Sequence, residues 1–157
     1  MMQQRLFILL FLTGFIPLFL AVPRKYYLIK PGKTWSEARA YCQATHADLA
    51  IMESNENMVQ LQIETQIQQF SSSAWIGLYN DLHSWRWSMG NEPLGSTAFW
   101  GSGQPNNLNN NQDYVGTGPG DWNDLGNTDM RPFVCFDGKE QHMFIILSVW
   151  KVVIKTL

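Results

Sequence analysis

Apolar and polar positions change rhythm several times along the chain. Residues 6–22 form an apolar run broken only by Thr13, Gly14 and Pro17, with Arg5 just ahead of it. A short positive start followed by a long apolar stretch predicts a secretory signal over residues 1–22, with Ala21 a candidate for its last residue. The alternative is an uncleaved signal anchor, although the run is just short of the ~20 residues of a spanning helix. Either way the rest of the chain is expected outside the cytoplasm. Tyr26–Ile29 is aromatic and β-branched, which predicts a first strand, turned by Pro31–Gly32. Thr34 and Glu37 stand in capping-box spacing and open a helix to about Thr45, with Trp35, Ala38, Tyr41 and Cys42 at helical intervals. A short apolar link, Leu49–Ile51, follows. Ser54 caps a second helix, which carries two apolar rows: Met58, Leu61 and Thr65 on one face, Val59, Ile63 and Ile67 on another. Ser71–Ser73 ends it.

The second half has a different texture. Trp75–Leu78 reads as a buried strand, and Trp85-Arg86-Trp87 alternates as a half-buried strand should. From Gly90 to Asp121 the chain is rich in Gly, Asn and Pro and has little periodicity. Loops of that length are functional or disordered, and Trp100, Val115 and Trp122 argue for order. Phe133–Phe136 is a closing strand. Two helices followed by several strands give an α+β domain over residues 26–136. The tail, 137–157, turns apolar and β-branched again from Met143, with Lys151 and Lys155 inside it. It is too short and too charged for a membrane span, and reads as an added strand or the start of a truncated module.

Charge narrows the partners. The formal net charge is −2, with 11 Lys and Arg against 13 Asp and Glu. No basic cluster exists to neutralise phosphates, so nucleic acid is not an expected partner. The chain has only two cysteines, Cys42 and Cys135. In an oxidising compartment they are expected to pair, closing a long loop for roughly 4–5 kcal/mol in the chain-entropy account. There is no Asn-x-Ser/Thr sequon, so N-glycosylation is not expected.

Candidate chemistry lies in the loop. Between Trp87 and Met130 there is no Lys or Arg, while Glu92, Asp113, Asp121, Asp124 and Asp129 stand among eight asparagines. Oxygen donors without basic competitors suit a hard cation such as calcium, which takes 6–8 oxygen ligands; a solvated turn-forming loop has the same composition. Asp121–Gly126 fails as an EF-hand, because Leu125 and Pro132 stand where oxygen ligands belong. Gly116–Gly120 lacks the Lys-Ser/Thr of a phosphate loop. His46, His83 and His142 have no zinc spacing. No nucleophile motif is present, and nothing singles out Asp113 and Asp124 as a glycosidase pair, so an enzyme is not expected.

Read in order, these residues resemble the C-type lectin-like family over Tyr26–Phe136. The resemblance is carried by Trp35-Ser36-Glu37-Ala38 with Cys42, Ala47-Asp48-Leu49-Ala50, Trp75-Ile76-Gly77-Leu78, Gln104-Pro105-Asn106, Trp122-Asn123-Asp124 and Phe133-Val134-Cys135. It implies two helices, two small antiparallel sheets and a long ordered loop region. In sugar-binding members that loop holds a calcium ion that coordinates two vicinal sugar hydroxyls. The resemblance places both calcium and sugar on Gln104, Asn106, Gln112, Asn123 and Asp124, and implies a cis Gln104–Pro105 bond.

This chain departs from the family in two ways. Tyr114 and Asn127 stand where the inner disulfide would be, so the loop lacks that staple and is expected to be more mobile. The tripeptide Gln-Pro-Asn is a hybrid of the mannose-type Glu-Pro-Asn and the galactose-type Gln-Pro-Asp, and Gln112 replaces an acidic ligand. Four amides and one carboxylate then stand where typical members have three carboxylates. Calcium affinity follows ligand charge, so a weak site is expected, in the ~10⁻⁴–10⁻³ M class or weaker. An amide whose oxygen faces a metal offers sugar hydroxyls no acceptor. Two readings remain open: a weakly calcium-dependent, carbohydrate-binding lectin, or a lectin-like module that binds a protein or glycan without calcium. Secretion is the expected localisation, with a membrane anchor at the cell surface if residues 1–22 are retained.

Overall fold

The computed structural model describes residues 24–82, 84–118 and 120–137 in full, together with the backbone of residues 19–21 and 142–144. The chain divides into two compact units, Arg24–Lys139 and a smaller one made of Met1–Pro23 with Glu140–Leu157. In the smaller unit, strand β1 (Phe19–Ala21) pairs antiparallel with a strand over His142–Phe144, Phe19 opposite Phe144. The readings of 1–22 as a signal and 143–157 as a tail otherwise fall outside the described residues.

The larger unit starts with β2 (Tyr26–Lys33) and α1 (Trp35–Thr45). β2 runs on through Pro31–Gly32, where the sequence pattern indicates a turn. The register on its partner strand shifts between Ile29 and Lys33, and an irregular ladder of that kind accommodates a residue without an N–H. The capping box is present. Glu37 N–H donates to Thr34 Oγ1 at 3.5 Å, and Thr34 N–H donates to Glu37 Oε2 at 3.0 Å. Such caps are worth ~1 kcal/mol. α1 buries Trp35, Ala38 and Cys42. After β3 (Asp48–Leu49), Ser54 caps α2 (Asn55–Ile67), whose row of Met58 and Leu61 enters the core. Its other row stays outside.

The remaining strands are β4 (Ala74–Asp81), β5 (Ser84–Trp87), β6 (Tyr114–Thr117), β7 (Trp122–Leu125) and β8 (Arg131–Phe136). The sheet order is β2-β8-β4-β6-β7, with β3 on β8 and β5 on β4. The two expected antiparallel groups are therefore joined into one mixed sheet. The joint is a single parallel pairing of β4 with β8, at Trp75 opposite Phe133. Both residues are fully buried, and their backbones could not be left to water there. β6 and β7 are strands that the Gly- and Asn-rich composition hides.

The Cys42–Cys135 disulfide ties α1 to β8 across a separation of 93 residues, as expected, and both sulfurs are buried. Around it pack Trp35, Leu49, Trp75 and Phe133. The other core cluster holds Ile76, Leu78, Trp87, Val115, Trp122 and Phe136. Two of the buried indoles have their polar ends paired: Trp35 Nε1 donates to Ile76 O at 2.7 Å and Trp75 Nε1 to Lys33 O at 2.9 Å, whereas the buried Trp122 Nε1 has no partner in the protein. Gly77 is glycine because the chain closes on it. A Cβ there would meet Ser88 Oγ at 2.7 Å and the Leu49 carbonyl at 3.0 Å.

Candidate ligand-binding loop

The loop between β5 and β6 is anchored by aromatic rings. Phe99 and Trp100 meet Trp122 edge to face at 5.2 and 5.7 Å. Backbone bonds lace the same place: Trp122 N–H to Phe99 O at 2.8 Å and Gly101 N–H to Trp122 O at 2.9 Å. The loop reaches its candidate site from this fixed point, and the Gln104–Pro105 bond is cis, as the resemblance implies.

β7 delivers Asp124 into the loop, fully buried. Its Oδ1 accepts the Asn106 N–H at 3.0 Å and its Oδ2 the Asn107 N–H at 2.6 Å. Asn106 Oδ1 and Gln112 Oε1 both accept the Leu108 N–H, at 3.0 and 2.6 Å. Asn107 Oδ1 in turn accepts the Gln112 N–H at 3.1 Å. A short 3₁₀ turn, Leu108–Asn110, carries these contacts, with Asn107, Asn109 and Asn110 at positive φ. Asparagine tolerates that conformation better than most residues, which accounts for its density here.

Asn106, Gln112 and Asp124 thus belong to one hydrogen-bonded net. Gln104 and Asn123 stand outside it. Their side-chain oxygens, Gln104 Oε1 and Asn123 Oδ1, are buried and accept no hydrogen bond. Other buried side-chain atoms lack a protein partner too, Gln60 Oε1 and Asn80 Oδ1 among them, so what marks this pair is that both oxygens belong to the proposed ligand set. Asn107 is a site residue that the resemblance does not name; it contributes a backbone N–H, which every residue but proline has, and a side-chain oxygen that accepts from Gln112.

A second clasp stands where the family's inner disulfide is missing. Asn127 Nδ2 donates to Asp113 Oδ2 at 2.8 Å, and the Asp113 N–H donates to Asn127 Oδ1 at 3.0 Å. The Asn127 N–H also reaches Asn111 O at 3.3 Å. Hydrogen bonds from Asn127 therefore tie the loop end to the segment after β7, and Asp113 is engaged in holding it.

The donor set partly fits a hard cation. It is all oxygen, and each Asp124 oxygen, with one N–H bound, keeps a second lone pair. Its charge is small: among the described residues no three His, Cys, Asp or Glu side chains are grouped to hold a metal.

The family model described as "Lectin C-type domain" matches residues 31–136, more than half of the chain. The chain belongs to the C-type lectin domain family. The hepatic lectin of Gallus gallus is 34% identical over 116 residues, covering 71% of this chain and 54% of its own length. The chain thus spans about half the length of that relative. Among solved structures, the mouse scavenger receptor C-type lectin carbohydrate-recognition domain is 25% identical with a TM-score of 0.66, over 76% of this chain and 92% of that one. The cow CD23 C-type carbohydrate-recognition domain, solved in the presence of a GlcNAc2Man3 oligosaccharide, is 25% identical with a TM-score of 0.62, over 75% and 91%. This C-type lectin domain therefore carries the family fold with an amide-rich version of its loop. Among the described residues no helix is long and apolar enough to cross a membrane.

Proposed function

We propose that this C-type lectin domain binds carbohydrate outside the cytoplasm through the 104–124 loop, with weak dependence on calcium, and is not an enzyme. The observation that carries the reading is the pair of buried, unpartnered oxygens of Gln104 and Asn123, in the same loop region as a net centred on a buried carboxylate. Unpaired buried acceptors cost about 1–3 kcal/mol each, a cost that a cation or a hydroxyl donor removes. Gln104, Asn106, Gln112, Asn123 and Asp124 would hold calcium, which when bound supplies a positive centre for sugar hydroxyl oxygens. The protein's own part is orientation: the Asn106 and Asn107 N–H groups fix both oxygens of Asp124, and the Leu108 N–H fixes the oxygens of Asn106 and Gln112. One carboxylate among four amides supports the weak class of site.

A specific observation also favours the calcium-independent module. Both Asp124 oxygens already accept N–H groups, so the loop has an internal reason to hold its shape without a metal. On that reading the ligand is a protein or a glycan.

Charge restoration separates the two. Gln104→Glu with Gln112→Glu keeps every side-chain acceptor in place and adds two carboxylates. Calcium should bind tighter by at least about tenfold. In chelator the same variant should be less stable than the parent, because the new carboxylate at position 104 would be buried without a partner, and calcium should reverse the loss. Mannose-type sugar binding should appear or strengthen with calcium. A double variant that binds calcium no better than the parent favours the calcium-independent reading.

A further inference from the structure

α2 has two apolar faces, and the core uses one. Met58 and Leu61 are buried, while Val59, Ile63 and Ile67 are 51%, 51% and 72% exposed. Their four-residue spacing makes a single stripe ~12 Å long at 1.5 Å rise per residue. Scattered exposed aliphatics need no explanation, but an aligned row of three β-branched ones on a helix does.

The ends of the stripe differ in charge. Glu56 lies seven residues before Ile63, within about 20° of it around the axis, and is exposed. At the other end the exposed Lys30 Nζ donates to the Gln68 carbonyl at the C-cap, at 3.3 Å. α2 itself holds no Lys or Arg. Basic groups lie near both ends of α2, Arg24 bound to Asn57 and Glu53 at one and Lys30 at the other, but the acid Glu56 stands in line with the stripe, where a lipid-surface helix carries its apolar face.

We propose that this face pairs with a second copy of the chain, the two α2 helices antiparallel about a two-fold axis at Ile63. Ile63 then packs on the partner's Ile63, and Val59 packs on the partner's Ile67. Position 56 falls opposite the end of the partner's helix, which sets Glu56 against the partner's Lys30 twice, once on each side of the axis. A parallel pair would oppose like charges at both ends, so the charges select the antiparallel arrangement. Three aliphatic side chains per copy make a small interface, so dissociation is expected in the ~10⁻⁵–10⁻³ M range. Two copies would present two binding loops, giving avidity to a weak ligand site.

Sedimentation velocity on the full chain from ~1 µM to ~1 mM tests the proposal across that dissociation range. The expected result is a monomer–dimer equilibrium that Ile63→Glu weakens at least tenfold. Because Ile63 is already half exposed, the variant should keep the parent's circular dichroism and melting midpoint. Glu56→Lys and Lys30→Glu should each weaken the dimer, and the two together should restore it. A chain that stays monomeric throughout overturns the proposal, as does a dimer indifferent to Ile63→Glu or a double charge swap that restores nothing. Pelleting with phosphatidylcholine vesicles that is lost in Ile63→Glu would also overturn it, assigning the stripe to a membrane.

Discussion

Asp124→Asn should destabilise the loop even when no calcium is present. The carboxylate accepts two backbone N–H groups, at 3.0 and 2.6 Å, and is fully buried. An amide can replace only one of its oxygens; the other becomes an NH₂ that faces the Asn106 or Asn107 N–H. One charge-assisted bond is lost, worth about 1.5–3 kcal/mol, and one N–H loses its acceptor. The loop can open locally, which limits the cost to global stability, so about 2–3 kcal/mol is the expected loss. Urea unfolding in chelator measures it. Hydrogen exchange then locates it, with protection lost first at the Asn106, Asn107 and Leu108 amides. A change below about 0.5 kcal/mol with unaltered exchange would refute the reasoning, because a surface substitution gives as little.

Three other outcomes follow from the fold. Gly77→Ala should cost about 1–3 kcal/mol or prevent folding, since its methyl would stand 3.0 Å from a backbone carbonyl that cannot turn aside; a melt within a degree of the parent contradicts this. Removing the disulfide with Cys42→Ala and Cys135→Ala should cost about 4–5 kcal/mol for a bridge spanning 93 residues, read by urea unfolding. Burial pushes the Tyr26 hydroxyl up to about 12, against 10.0 when free, while it donates to Ile51 O at 2.9 Å. The neutral form is the one that folding favours. Its contribution is therefore intact below pH 10 and is lost as the pH rises towards 12, about 2–3 kcal/mol in all. Tyr26→Phe should show a smaller alkaline loss.

What the sequence made legible was local. Thr34 with Glu37, and Ser54 before α2, announce their helices because a cap acts within one turn. Trp75–Leu78 is apolar enough to read as a buried strand, and the Cys42–Cys135 pair follows from there being only two cysteines. β6 and β7 were not legible, because what holds them is each other and β4. Gly116 lies in β6 with a would-be Cβ 2.5 Å from Leu125 Cδ1, a constraint invisible until the strands meet. The parallel joint at Trp75 and Phe133 leaves no mark on either strand's pattern. In the loop, the resemblance drew attention to Asn106, Gln112 and Asp124, which share one net. It said nothing of the Asn106, Asn107 and Leu108 amides that organise the net, because backbone donors have no residue signature. Nor did the loss of two cysteine positions announce the Asn127–Asp113 clasp.

The proposed function is weak, calcium-assisted sugar binding by the 104–124 loop. Its most direct test is calorimetric titration of the unmodified chain with calcium, followed by mannose and by galactose in calcium and then in chelator. Calcium binding in the ~10⁻⁴–10⁻³ M class and a monosaccharide response that chelator removes are the expected results. No heat with calcium up to ~10 mM, tenfold above that class, would contradict it, as would sugar binding that is the same in chelator.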